Sequence, residues 1–324
     1  MCRAVVARRR PLAGLACLLV LAGCGGGGGS GTPQRVVLAL DFTPNAVHAP
    51  IYTAVREGDD RRHGVRIAIR TPGSQPDSLK LLSSGRVDIG ILDIHDLGLA
   101  REKGADVVGI AALVQRPLAA LIAQPSVRRP RDLEGGRVGV SGLPSDPAFV
   151  KAIMGHDGGD AAKVKYVTIG FNAVSALLGR RVDAVPAFWN AEGVALRRRG
   201  RAMHEFRVDD YGAPPYPEVV LVTSRRTLRR RRAAIERAVA AIGDGLRSTL
   251  AHPEPAARQI ARAAGEADLG LVRDQLRAVA PIMRGGLALR RPVLVDWARF
   301  DARIGILKRA PDIDRAFDFA VVSR

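Results

Sequence analysis

The sequence predicts an α/β fold built on a mainly parallel sheet, and three observations carry that prediction. Residues 36–40 (Val-Val-Leu-Ala-Leu) form a short continuous apolar run, the pattern of a strand buried on both faces. A polar turn and a segment of helical spacing follow it, and this order recurs along the chain. The length, 324 residues with 47% hydrophobic content, suffices for a core of one large or two medium domains.

The first corner carries the most information. Asp41-Phe42-Thr43-Pro44-Asn45 is a turn, because Pro44 biases Thr43 away from helix and Asp41, Thr43 and Asn45 are turn or capping types. Residues 46–57 then have helical spacing, and Gly58 supplies the stop. This arrangement puts polar side chains and free backbone N–H groups at the carboxyl end of a strand, where open α/β folds bind ligands.

Residues 40–48, Leu-Asp-Phe-Thr-Pro-Asn-Ala-Val-His, resemble the opening motif of the solute-binding proteins that serve thiamine-precursor (pyrimidine) importers, a branch of the type II periplasmic binding proteins. Asp41, Pro44, Asn45 and His48 carry the match; Phe42 stands where that branch commonly has Trp, which keeps a stacking face. The resemblance implies a two-lobed fold, each lobe a mixed sheet flanked by helices, joined by two hinge crossovers. It places Asp41, Phe42, Asn45, His48 and Tyr52 toward a bound solute.

Ahead of this corner, Arg3, Arg8, Arg9 and Arg10 precede an apolar stretch too short to span a bilayer comfortably, which predicts a secretory signal over residues 1–23. It ends Leu21-Ala22-Gly23-Cys24, resembling a bacterial lipobox, so Cys24 is the expected lipidation site. Residues 24–34 form a Gly-rich tether, and the expected product is anchored to the membrane rather than spanning it. Removal of four signal arginines leaves the mature chain near +14 of the formal +18.

That charge and the arginine runs at 197–201 and 225–232 invite a nucleic-acid reading. The runs hold few aromatics to stack bases and the export signal removes the chain from nucleic acid, so they read as solvated helix faces. Cysteine occurs only at positions 2, 17 and 24, which excludes a disulfide framework and a cysteine metal site from the body.

Downstream, residues 65–70 alternate as a strand with one wetter face, residues 71–76 are a loop, and Asp77 is placed to cap a helix that Gly85 ends. Residues 86–98 are another buried strand leading to a polar corner. Residues 85–90 resemble the family's third strand, whose end lies beside the ligand, so Asp93 and His95 are expected in the cleft. Strands at 107–113 and 118–123 correspond to the family's passage between lobes, and residues 131–142 to the opening of the second lobe, with Ser141 at its turn.

Residues 181–193 repeat the logic of the first corner: apolar strand, Pro186, then Phe188-Trp189-Asn190-Ala191-Glu192-Gly193. The pyrimidine-binding branch has a similar aromatic–Trp–Asn–x–Glu–Gly phrase. Phe188 and Trp189 offer flat faces, Asn190 a polar edge, and Glu192 an acceptor for an exocyclic amine. Residues 219–223 return the chain, and the remainder is largely helical, with Trp297 in the core. The expected lobes are residues 35–116 with 224–324, and residues 117–223.

The expected protein is therefore a monomeric, lipid-anchored, extracytoplasmic receptor of an ABC importer. It would take a small heteroaromatic solute, foremost a thiamine pyrimidine precursor, and dock on a permease and its ATPase. Riboflavin, another aromatic vitamin or a sulfonate is the alternative solute, and a surface lipoprotein that only contacts a partner protein is a different class. The same fold includes a pyrimidine-synthase enzyme that depends on a cysteine-rich motif, which the body lacks. Catalytic residues, cofactors and metals are not expected, since no Gly-x-Ser-x-Gly, His-Glu-x-x-His or Walker phrase occurs and the histidines show no ligand spacing.

Overall fold

The computed structural model describes residues 32–73 and 77–322. The signal, Cys24 and most of the tether lie outside the described residues. Among the described residues there are ten strands: β1 (Gln34–Ala39), β2 (Val65–Arg70), β3 (Ile89–Asp93), β4 (Val107–Ala112), β5 (Ala119–Ala123), β6 (Arg137–Val140), β7 (Lys165–Thr168), β8 (Ala184–Phe188), β9 (His204–Arg207) and β10 (Val219–Ser224).

They form two five-stranded mixed sheets, in the orders β2-β1-β3-β10-β4 and β7-β6-β8-β5-β9. In the first, β1 pairs parallel with β2 and β3, while β10 runs antiparallel to β3 and β4. In the second, β6 is parallel to β7 and β8, while β5 is antiparallel to β8 and β9. Helices flank both, so the expected α/β architecture with two mixed sheets is what the chain adopts. The sequence patterns follow sheet position. Every residue of the interior strand β5 is buried, as is every residue of β4, an edge strand that the C-terminal tail covers. The alternating Val-Arg-Ile of β2 sits at a sheet edge with Arg66 outside.

The first corner forms as the turn chemistry dictates. Asn45 Oδ1 accepts from Val47 N at 2.9 Å and starts a 3₁₀ turn, Ala46–His48. The helix Ala49–Glu57 follows with Pro50 in its first turn, and Gly58 ends it in the left-handed region at φ 76°. Asp77 precedes the helix Ser78–Ser83 without making the expected side-chain cap; its Oδ2 lies 4.0 Å from Arg70 Nη2 instead.

The chain crosses from the first sheet to the second between β4 and β5 and returns before β10. Glu218 Oε2 ties the two crossings, accepting from Leu118 N at 2.7 Å and Ala119 N at 3.0 Å. Because β10 pairs within the first sheet, the return falls ahead of Val219, not after Thr223. The long helix Arg225–Ala251, kinked at Arg231, then packs on the helix Ala49–Glu57. Gly245 permits this contact: a Cβ there would stand 2.2 Å from the Pro50 carbonyl oxygen.

The tail returns to the first sheet. Trp297 is fully buried, and Phe317 meets it edge to face at 5.9 Å. Asp318 N donates to Gly109 O at 2.9 Å. No described helix is long and apolar enough to cross a membrane.

Candidate functional site

The carboxyl ends of β1, β3, β6, β7 and β8 converge on one cavity of about 390 Å³, walled by strand ends of both sheets. This is where polar corners are expected in such folds, because successive helices leave the strand ends uncovered. Asp41, Phe42, Asn45, Asp93, His95, Ser141, Phe188 and Glu192, all singled out in the sequence, lie on its wall.

Four others do not. His48 is 1% exposed and stands behind Asp41: its Nδ1 accepts from Asn45 N at 3.2 Å, so Nε2–H donates to Asp41 Oδ1 at 2.9 Å. It orders the corner rather than facing the cavity. Tyr52 packs against the first core, and its carbonyl accepts from Gln259 Nε2. Trp189 donates from Nε1 to Pro117 O at 3.2 Å and carries the Arg207 guanidinium over its ring at 4.4 Å. A wide π-helical turn, Trp189–Gly193, carries the indole off the wall and buries Asn190, whose side-chain amide has no hydrogen-bond partner.

The aromatic faces are therefore Phe42 and Phe188 together with Phe171 and Phe149. Phe42, after β1, and Phe171, after β7, meet at 4.1 Å between ring centroids, a contact from one sheet's rim to the other's. A second contact of this kind joins Asp96, in the helix Ile94–Glu102, to Ser145 at the start of the helix Asp146–His156. Ser145 N and Oγ both approach the Asp96 carboxylate at 3.2 Å. Sequence reading missed Phe171, Asp96, Asp146 and Glu218. The one available signal was the position of Phe171 in a Gly-Phe-Asn turn directly after a strand.

The electrostatics of the wall are dominated by buried acid. Glu192 Oε2 accepts from Phe188 N at 3.1 Å, and burial pushes its carboxyl up. Asp146 receives Ser141 N, Ser141 Oγ and Gly142 N, yet burial raises it too. Burial and the neighbouring Asp146 push Asp96 up to about 7. Deepest in the wall, His95 donates from Nδ1 to Asp301 Oδ2 at 2.8 Å and faces Tyr216 Oη at 3.0 Å with Nε2. Burial opposes its charging, but the Asp301 and Asp93 carboxylates prevail and hold it protonated up to about 10. Burial and the charge of Glu218 push Asp93 well above the usual carboxylate range.

Asp93, His95 and Glu218 also offer ligand atoms within 4.8 Å of one another, a grouping that sequence spacing did not reveal. A metal there would have to displace the proton on Nε2 and its contact with Tyr216.

The class that the fold defines is the periplasmic-binding-protein fold. An alkanesulfonate-binding protein of Xanthomonas axonopodis pv. citri superposes with a TM-score of 0.72 over 89% of this chain and 99% of that one, at 15% sequence identity. The family is narrower: the NMT1/THI5 like profile matches residues 45–256, and the chain belongs to that family. It is similar to a formylaminopyrimidine-binding protein of Halalkalibacterium halodurans, 32% identical over 194 residues, 59% of this chain and 59% of that protein. It is also similar to a 4-amino-5-hydroxymethyl-2-methylpyrimidine phosphate synthase of Legionella pneumophila, 29% identical over 169 residues, 52% and 53% of the two chains. In both cases the match spans less than two thirds of the relative's length.

Proposed function

We propose that the chain is the extracytoplasmic, lipid-anchored receptor of an ABC importer and that it captures an aminopyrimidine of the thiamine-precursor type. The observation that carries the reading is Glu192: a carboxylate held by Phe188 N on an aromatic wall between two sheets. An ionised carboxylate retains acceptor capacity for an exocyclic amine after one backbone bond. In a water-poor cavity, loss of that acceptor discriminates strongly between solutes. Phe42, Phe171 and Phe188 give the ring flat faces. The family assignment and the similarity to a formylaminopyrimidine-binding protein support the same solute class.

Two lobes, one around each sheet, would open and close about the paired crossings at 114–119 and 213–218. The Phe42–Phe171 and Asp96–Ser145 contacts form the closed edge. The loaded form would dock as a monomer on a permease, with Cys24 as the lipid anchor. A synthase activity is the weaker reading, since cysteine is confined to residues 2, 17 and 24.

A thermal-shift panel of aminopyrimidines, thiamine, riboflavin and alkyl sulfonates tests the solute. A true ligand at about a hundred times its Kd adds roughly 2.7 kcal/mol of stability. Glu192→Gln is expected to weaken aminopyrimidines far more than riboflavin; a shift with riboflavin alone removes the pyrimidine assignment.

A further inference from the structure

The chain carries 50 Lys and Arg against 32 Asp and Glu, yet the cavity wall inverts that balance. Seven carboxylates line it, and no arginine does among the described residues. Its two lysines, Lys80 and Lys103, are exposed. Asp41 is committed to His48, and Asp77 lies near Arg70. The other five, Asp93, Asp96, Asp146, Glu192 and Glu218, have no lysine or arginine within 4.0 Å among the described residues. A protein with surplus base that withholds it from these five groups leaves their charge for something else to compensate.

A second, independent feature localises the need. Glu218 is 0% exposed. Its Oε2 is used by the Leu118 and Ala119 amides, but its Oε1 has no hydrogen-bond partner. The nearest cation, His95 Nε2, stands 3.7 Å away and shares its charge with Asp301. Leaving a buried carboxylate oxygen unsatisfied is costly, and the cost is relieved when a donor arrives. Asp93 lies beside it on the cavity wall, half-buried, with one oxygen accepting from His95 N at 2.8 Å.

We infer that the solute is a cation whose positively charged nitrogen, separate from the amine read by Glu192, is received by Asp93 with Glu218 behind it. The inference deepens the receptor reading and rests on it. It sets this cavity apart from anion-selective sites, because a sulfonate would face a wall of carboxylates with no guanidinium among the described residues, and its one buried cation, His95, is already engaged by Asp301 and Asp93. Charge complementarity of this kind disfavours the wrong solute as well as favouring the right one. Burial already presses Asp93 toward its neutral form, which is the strain an incoming cation would lift.

Isothermal titration calorimetry on the full chain separates the outcomes. The probes are 4-amino-5-aminomethyl-2-methylpyrimidine, cationic at neutral pH, its neutral 5-hydroxymethyl analogue, benzylamine and benzenesulfonate. The aminomethyl compound is expected to bind at least about tenfold tighter than the hydroxymethyl compound. Asp93→Asn, which keeps the acceptor for His95 N, is expected to bring that ratio near one. Glu218→Gln, which keeps an acceptor for the Leu118 and Ala119 amides, should do the same, and the melting temperature of each variant reports that it is folded. Glu192→Gln should weaken both pyrimidines alike. Equal or tighter binding of the hydroxymethyl compound overturns the cation inference and leaves the aminopyrimidine receptor standing. Binding of benzylamine that Asp93→Asn abolishes, with neither pyrimidine bound, keeps the cation site and removes the pyrimidine. Preference for benzenesulfonate, or binding of none of the four, overturns the inference.

Discussion

On the outer surface Arg198 spans Asp268 and Asp274 at 3.0 and 2.5 Å, and Arg129 grips Asp157 and draws its carboxyl down to about 2. Along the cavity wall Asp96 and Asp146 sit buried with only hydroxyl and amide donors, and both are pushed up by burial. The same side-chain chemistry thus does opposite things in the two places. Outside, abundant arginine meets nearly every nearby acid in high dielectric, where each pair adds little to stability. Inside, acids are kept from arginine in low dielectric, where each uncompensated charge is costly. The arginine runs that dominate the composition belong to the first group: Arg231 pairs with Asp88, and Arg232 with Asp318 at 2.5 Å.

The contrast can be broken most forcefully at Asp301. Asp301→Ala strands a buried imidazolium, and removal of one partner from a buried pair costs about 3–5 kcal/mol, read by denaturant unfolding. Replacing both members, His95→Leu with Asp301→Leu, is expected to cost less than the single change. If the single change costs under about 1 kcal/mol, the buried cluster behaves like a surface pair and the distinction fails.

A smaller effect sharpens it through pH. A carboxyl that titrates higher in the folded chain than its ordinary 3.8 makes the folded state bind protons more tightly, so Asp96 costs stability as pH rises from near 3.8 to about 7. His95 adds the same sign later: its contribution is full below 6.5 and is lost as pH climbs through about 10. The joint contribution of Asp96 and His95 at fixed ionic strength is expected to decline as pH rises above about 4, opposite in sign to Asp157, whose lowered carboxyl adds stability as pH rises from about 2 to its ordinary 3.8. Asp96→Asn should flatten the decline between pH 4 and 7 by on the order of 1–4 kcal/mol. An unchanged slope in that variant would assign the decline to other groups.

The smallest effect belongs to the surface. Arg299→Ala, which releases Asp296 at 3.8 Å with both side chains exposed, should move Tm by less than about 2 °C.

How far the sequence carried can be seen at the two corners. Phe42, Asn45 and Glu192 were found because strand, turn and helix patterns are local: an apolar run ends, turn residues follow, and whatever lies at that corner faces outward from a strand end. His48 belongs to the same phrase, yet it turns inward, because the proton on Nε2 is claimed by Asp41 seven residues before it. Trp189 failed to reach the wall for a comparable reason, since five residues of π-helical turn shift the phase of side chains that an ordinary α-helix would have aimed at the cavity.

The sequence alone determined the α/β class, the strand runs, both corners, the family and the basic surface, since periodicity, turn chemistry and composition act over a few residues or over the whole chain. Only the tertiary structure decided the character of the cavity. His95 meets Asp301 from 206 positions away and Tyr216 from 121, while Phe42 meets Phe171 from the other sheet. Sheet order sets those encounters, and with them which buried carboxylates are left without base, because solvation and pairing depend on neighbours in space and not on neighbours in sequence.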